Sequence, residues 1–426
     1  MNILKNIAYK NLQLNKRKNI VTIIGIILSV ALITALSSLV VSFKESIINL
    51  EKHINGDFHY SFDGVQSNDL SIFENNRSIE NFYKVGTLGY AKINTENEYK
   101  PYAYVITMDK NAFDSALIDL TDGELPKNNN EIIIPRHLRN NGKVDLKVGD
   151  TITLEVGLRM SEGYALGQNN PYEETNNETI ENTVSVTYKV VGIFERPSTA
   201  LEPFSSPGYT FITTNASGVK NYKVFARYTK DGLKNQYKVT AGILGVDAKL
   251  LEKDITLDPN YVEISEKELA KSKYTFDVNR YLVMLETNAY GDSSMKALLV
   301  LSSIVTVIII VTSVYCIKNS FNISITEKTK EYGILKSVGA TTSQIKKSVY
   351  YEAFLLGCVG IPIGVLLSYL IFKGFTNQVL FSYKVPFKGI IVSIAIVCLL
   401  IVWLNNYSSK KANKGNIIET IRNENI

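Results

Sequence analysis

The residues that carry most enzyme chemistry are few in this chain and badly spaced for it. There are three histidines, His53, His59 and His137, and no two of them have the spacing of metal ligands. All three cysteines, Cys316, Cys358 and Cys398, fall in apolar stretches, so the polar part of the chain holds no disulfide. No G-x-x-x-x-G-K-[ST] phosphate loop, G-x-S-x-G elbow, H-E-x-x-H or C-x-x-C occurs. The expectation is a protein that is not an enzyme, holds no cofactor or metal, and does not hydrolyse ATP by itself.

Chemistry of a mechanical kind is written at 326–345. At about 100° per residue, Glu327, Glu331, Ile334, Leu335, Val338 and Ile345 share one side of a helix, with Tyr332 and Lys336 on the other. Gly339 suits the left-handed position just past a helix, and Thr341 with Gln344 fits a capping box that starts the next. A helix, a tight turn and a second helix make a lever, though periodicity alone equally allows a solvated loop lying on lipid headgroups. Further on, Glu352 sits in an apolar stretch, where an ionisable side chain is a functional candidate by default. Its other reading is a residue that snorkels, or that serves local capping or packing near a helix N-terminus at the membrane edge. Gly357, Gly360 and Gly364 line part of one helical face at a spacing that permits close helix approach, with Pro362 between them as a possible kink.

These residues need elements to hold them, and hydropathy supplies four. Mean hydropathy over the chain is near zero, but the apolar residues are concentrated at 20–43, 297–317, 349–372 and 389–407. Each stretch reaches or approaches the roughly 20 residues that cross about 30 Å of hydrocarbon. The first exceeds the roughly 7–15 apolar residues of a signal peptide and is followed by no cleavage site, so it reads as a retained anchor. Basic residues collect before the first span (Lys5, Lys10, Lys16, Arg17, Lys18), between the second and third (Lys318, Lys328, Lys330, Lys336, Lys346, Lys347) and after the fourth (Lys410, Lys411, Lys414, Arg422). Basic residues flank the cytoplasmic ends of spans, so both termini are expected inside. The net charge of +5 is then a topology signal, and no basic-aromatic stripe supports a nucleic-acid partner.

The fold class expected is therefore an α-helical membrane protein with four transmembrane helices and a large mixed α/β extracytoplasmic domain. Its layout is a cytoplasmic N-terminal helix at 1–19, spans at 20–43 and 297–317 around a domain at 44–296, and a cytoplasmic segment at 318–348. Spans at 349–372 and 389–407, a short external loop at 373–388 and a cytoplasmic tail at 408–426 complete it. Within the domain, 131–135 reads as a short buried strand, and Gly149-Asp150 as a turn feeding another. Val184, Val186, Tyr188 and Val190 alternate with polar residues as a half-buried strand does. The polar run 168–183 reads as a mobile loop, and 274–286 has helical spacing and leads toward the second span.

The run E-Y-G-I-L-K-S-V-G-A at 331–340 resembles the E-I-G-I-L-R-A-I-G-A motif of FtsX/MacB-type ABC transporter permeases. It departs from that motif at Tyr332 for an aliphatic residue, Lys336 for arginine and Ser337 for alanine. Gln344-Ile345 and 352–357 are similar to the family's entry into its third helix, and 6–18 to its interfacial lead-in. The stretches 131–154 and 188–194 resemble the MacB-type core domain, and 411–422 the closing signature, with Asn416 where proline is usual.

The resemblance implies that Glu331, Tyr332, Gly333, Ile334, Leu335, Lys336 and Gly339 dock on a separate ABC ATPase subunit, which holds the ATP. It implies a second permease copy or a paralogue in the membrane, and allows a periplasmic or cell-wall adaptor. Function would be transmission of ATP-driven motion from that ATPase to the external domain, in the plasma membrane of a bacterium, for export or extraction of peptides, macrolides or lipoproteins. Regulation of cell-wall hydrolases is an alternative within the same resemblance. A ligand-sensing membrane receptor is the other alternative, but it is expected to carry a cytoplasmic signalling domain, which 408–426 is too short to be.

Overall fold

The computed structural model describes residues 16–252 except 220, 269–287 and 337–375, with single positions at 9–13, 300–315, 334 and 387–399. By contact the chain forms two compact units, residues 48–289, and residues 1–47 together with 290–426.

The unit at 48–289 is built on one mixed sheet. Its strands in chain order are β1 (Tyr60–Gln66), β2 (Ile79–Lys92), β3 (Tyr102–Met108), β4 (Leu120–Gly123), β5 (Glu131–Pro135), β6 (Thr151–Ser161), β7 (Tyr164–Ala165), β8 (Thr179–Phe194), β9 (Gly208–Thr213), β10 (Asn221–Tyr228) and β11 (Thr275–Val278). Across the sheet they run β11-β1-β10-β2-β3-β9-β5-β8-β6-β7, with β4 beside β8. Two pairings, β3 with β9 and β5 with β8, are parallel and the rest antiparallel. β9 lies between β3 and β5 and all its residues are buried, as expected of a strand covered on both faces.

Local sequence explains much of this. Ile132, Ile133 and Ile134 of β5 are buried, and Pro135, with no N–H for a ladder bond, closes the strand. Gly149 takes φ +103°, and the Asp150 N–H donates to the Lys147 carbonyl at 3.1 Å, the turn that launches β6. Alternation on β8 buries Tyr188 and Val190, but Val184 is 62% exposed. Toward its N-terminus β8 pairs only with β6, so apolar alternation there meets no core.

Two expectations are corrected. The polar run 168–183 is not a loose loop: residues 179–183 belong to β8, and the chain before them folds over Arg159. That side chain is fully buried. Its Nε and Nη2 donate to Glu178 at 2.7 and 2.5 Å, and its Nη1 and Nη2 to the carbonyls of Gly167, Asn170 and Pro171 at 2.8–3.2 Å. The stretch at 274–286 is helical only from Arg280. Thr275–Val278 is instead the edge strand β11, because its alternating residues pair with β1, Tyr60 opposite Val278.

The helices that bear on function are α1 (Lys16–Asn55), α2 (His137–Gly142), α3 (Gln236–Leu244), α4 (Arg280–Thr287) and α5 (Thr342–Phe375). α3 packs Ala241, Ile243 and Leu244 into a cluster with Phe62, Phe73 and Tyr228 of the sheet unit. Among the described residues, one helix is apolar over a membrane-crossing length, at Ser343–Lys373 of α5, and a shorter apolar stretch covers Asn19–Ala35 of α1. α5 runs through Pro362 without interruption. The described positions within 300–315 and 387–399 are helical, but most of the expected spans at 297–317 and 389–407 lies outside the described residues.

Candidate functional site

One cluster of charge holds the places where the chain enters and leaves the sheet unit. α1 ends at Asn55, and Gly56 turns the chain at φ +106°, its N–H returning to the Lys52 carbonyl at 2.9 Å. A Cβ at Gly56 would come within 2.9 Å of the Phe58 ring, so glycine is required by both backbone and space. On the exit side, the Asn279 N–H donates to the His59 carbonyl at 3.0 Å and its Nδ2 to the Gly56 carbonyl at 3.1 Å. The residue that leads into α4 is therefore bonded to the start of β1.

Arg227, on β10, lies between the two. Its guanidinium donates to Asp57 through Nη1 and to Glu286 Oε1 through Nη2 at 2.7 Å, with Nε 3.6 Å from Glu80. Lys52 on α1 stands 3.3 Å from Asp57. His59 is fully buried. Its Nδ1 accepts the Tyr228 N–H at 2.9 Å, which places the ring proton on Nε2, facing Glu286 at 3.2 Å. Burial alone would raise the Glu286 carboxyl, but hydrogen bonds from His59 and Arg227, with the charge of Arg227, hold it down to about 2. Burial likewise works against the Arg227 charge, and its bond to Glu286 with the charges of Asp57, Glu286 and Glu80 raises it overall.

Nothing in this cluster is poised to react: the donors are spent on the acceptors around them. What it can do is hold. Removing one partner leaves the other charge stranded, at a cost below the roughly 3–5 kcal/mol of a fully buried pair, since these side chains keep about a fifth of their surface in water. The end of α1, strand β10 and α4 are therefore tied to one another by a single set of ion pairs and hydrogen bonds.

In the unit formed by 1–47 and 290–426, α1 and α5 meet by a different means. On α5, Ile345, Ser348, Glu352, Leu356, Gly360, Gly364 and Ser368 are buried at intervals of three and four, with Gly357 beside them. A Cβ on Gly360 would fall 2.7 Å from Ile26 Cγ2 of α1, and one on Gly364 2.8 Å from Val30 Cβ and 2.9 Å from the Ile27 carbonyl. The two helices approach at contact distances only glycine permits. Glu352 lies on this buried stripe, about three turns into a helix that begins at Thr342. A first-turn capping role is thus ruled out for it.

Just before α5, the Thr341 N–H donates to Gln344 Oε1 at 2.9 Å and the Gln344 N–H to Thr341 Oγ1 at 3.3 Å, a reciprocal capping box. Gly339 takes φ +98°, and the Val338 N–H reaches the Ile334 carbonyl at 3.2 Å. Ile334 and Val338 are 51% and 83% exposed. Of the other expected contact residues, Glu331, Tyr332, Gly333, Leu335 and Lys336 lie outside the described residues.

Sequence reasoning did not single out Asp57, Arg227 or Glu286, nor the buried Arg159. A signal existed for the two arginines. Each interrupts a strand of apolar character, Arg227 as Phe-Ala-Arg-Tyr and Arg159 as Gly-Leu-Arg-Met, and a charge there requires a buried partner. No local pattern names that partner.

The FtsX-like permease C-terminal family model matches residues 303–417, and the MacB-like periplasmic core domain model matches residues 20–240. The chain is similar to the ABC transporter permease YtrF of Bacillus subtilis, 22% identical over 460 residues and covering 97% of both proteins. It is similar to the macrolide export ATP-binding/permease protein MacB of Mannheimia succiniciproducens, 22% identical over 400 residues, covering 91% of this chain and 55% of that protein. The chain thus spans about half the length of that relative. A solved structure of the periplasmic region of MacB from Actinobacillus actinomycetemcomitans aligns at 10% identity and a TM-score of 0.27, covering 56% of this chain and 97% of that one.

Proposed function

The chain belongs to the FtsX-like, MacB-type family of ABC transporter permeases, and from that membership we propose that it passes the motion of an ABC ATPase to its sheet unit. The family implies the ATPase as partner. On this reading the chain spans the membrane four times with both termini inside, residues 331–340 dock on the ATPase, and the unit at 48–289 stands outside. A second permease copy or a paralogue completes the assembly, and the cargo is a peptide, a macrolide or a lipoprotein.

The observation that carries the reading is the closure of the sheet unit on itself. Because Asn279, Arg227 and Glu286 bind the first residues after α1, a displacement arriving along α1 or through α4 reaches β1, β10 and β11 as one displacement. At the other end, the capping box fuses the turn at Gly339 to α5, so a push on that turn is delivered along a helix of 34 residues.

The test is hydrogen exchange on the full chain reconstituted with its ATPase, with and without trapped nucleotide. Trapping should change exchange at 48–57 and 280–287, and Leu335→Asp should abolish both that change and co-purification of the ATPase. If Gly333→Asp and Leu335→Asp leave the complex intact, the docking assignment is wrong. If the complex forms and trapping leaves 48–57 and 280–287 unaltered, transmission through the closure is wrong.

A further inference from the structure

A second buried cluster in the sheet unit opens onto a cavity. Glu202 is fully buried. Its Oε1 accepts from Lys100 Nζ at 2.8 Å and from His137 Nε2, on α2, at 2.7 Å, while Oε2 accepts the Thr210 N–H at 2.7 Å. Arg196 Nε stands 3.9 Å from the same carboxylate, and Arg196 Nη2 donates to the carbonyls of Glu202 and Pro203 at 3.3 and 3.2 Å. Burial alone would raise the Glu202 carboxyl, but the hydrogen bond from His137 and the charge of Lys100 hold it down to about 2. Burial pulls the Lys100 ammonium below its ordinary value while Glu202 pulls it back up. Among the described residues one fixed anion thus faces the two basic groups Lys100 and Arg196, which leaves the more exposed Arg196 only partly matched.

That partly matched charge lies at a cavity of about 250 Å³, lined among others by Lys100, His137, Arg196, Tyr99 and Phe204. Tyr99 and Phe204 are 79% and 77% exposed, although both are large aromatics. The Arg196 guanidinium lies 4.6 Å from the centre of the Phe204 ring. His137 Nδ1 is buried with no hydrogen-bond partner among the described residues. Folding gains little from two aromatic rings in water beside a partly matched charge. Exposed aromatics flanking an arginine are instead the composition of a binding hot spot. The cavity is smaller than the roughly 300–1,000 Å³ of drug-sized ligand sites, which leaves room for about one residue.

We propose that this cavity receives one carboxylate-bearing residue of a peptide segment, the carboxylate meeting Arg196 and the adjacent apolar part lying between Tyr99 and Phe204. The carboxylate is an acidic side chain or a chain terminus; both present the same group to the same guanidinium. The inference concerns what binds the sheet unit, and it stands whether or not the chain transmits motion from an ATPase.

Calorimetry on the full chain in nanodiscs tests it with four probes: acetyl-Ala-Glu-Phe-amide, acetyl-Ala-Phe with a free carboxylate, acetyl-Ala-Gln-Phe-amide and inorganic phosphate. At least one carboxylate peptide should bind about tenfold or more tightly than the glutamine peptide, and the tighter of the two identifies the source of the carboxylate. Arg196→Gln and Phe204→Ala should each weaken it about tenfold in protein that still shows a cooperative melting transition, Phe204→Ala at unchanged melting temperature. Arg196→Lys, which keeps the charge without the flat stack, should fall between, and it serves if Arg196→Gln does not fold. Equal binding of the glutamine peptide, no binding of either carboxylate peptide, or affinity indifferent to Arg196 and Phe204 overturns the proposal. So does phosphate binding as tightly as the peptides, which would mark an adventitious ion only.

Discussion

Arg159 and Arg227 lie on strands of the same sheet and both pair with carboxylates, yet one is sealed and the other shared. Arg159 and Glu178 have fully buried side chains, and the other acceptors of Arg159, the carbonyls of Gly167, Asn170 and Pro171, lie within the same stretch of chain. Arg227 keeps 19% of its side chain exposed and divides itself among Asp57, Glu80 and Glu286, which are far apart in sequence. Sealing fixes one excursion over the rings of Tyr90 and Tyr102. Sharing fixes the two ends of a domain to its middle. The first arrangement shapes a surface; the second decides whether distant segments move as one body.

The comparison breaks most easily at the sealed pair. Arg159→Met strands the Glu178 carboxylate and should cost about 3–5 kcal/mol in urea unfolding of the full chain, with 162–178 becoming sensitive to protease. Adding Glu178→Leu removes the stranded charge and should recover part of that loss, the remainder staying with the carbonyls of Gly167, Asn170 and Pro171 and the Tyr102 hydroxyl, which lose their partners. An Arg159→Met protein as stable as wild type would show that the excursion does not depend on the pair.

The shared cluster should yield less and should depend on pH. Glu286 is held from the ordinary 4.5 down to about 2 in the folded chain. Its ionised form therefore contributes stability that is fully present above the unfolded value and is lost as pH falls through about 2. Glu286→Gln should cost on the order of 2–3 kcal/mol near neutrality and flatten the stability profile between about pH 4.5 and 2. An unchanged profile would remove Glu286 from the closure. The smallest effect is reserved for a pair of the same chemistry in water, Arg136 with Glu195, at 58% and 50% exposure. Arg136→Ala should change stability by about 0.5 kcal/mol or less; a larger loss would mean that exposure does not separate the three sites.

What could be read from the sequence was what is decided locally. Gly339 and the Thr341–Gln344 box lie within one turn of each other, and β5 and β6 announce themselves by an isoleucine run and a Gly-Asp turn. The glycines of α5 were legible by spacing, though not that Ile26 and Val30 would be their neighbours. The closure was invisible because its members sit at 57, 59, 227 and 286, brought together only by strand order. The helical spacing of 274–286 is real for α4, but β1 claims Thr275–Val278 for an edge strand, and edge pairing leaves no mark in a short window. The polar run after 168 looked mobile because nothing in it reveals the arginine beneath.

The position of β1 also sets a timetable for synthesis. It lies between β10 and β11, with Tyr60 opposite both Ala226 and Val278. A ribosome finishes β1 long before either neighbour exists, and both edges of the strand wait unpaired while the intervening chain emerges. Such distant pairing is slow and leaves the nascent strand open to wrong partners. The sheet around β1 can be completed only after β11 has been made.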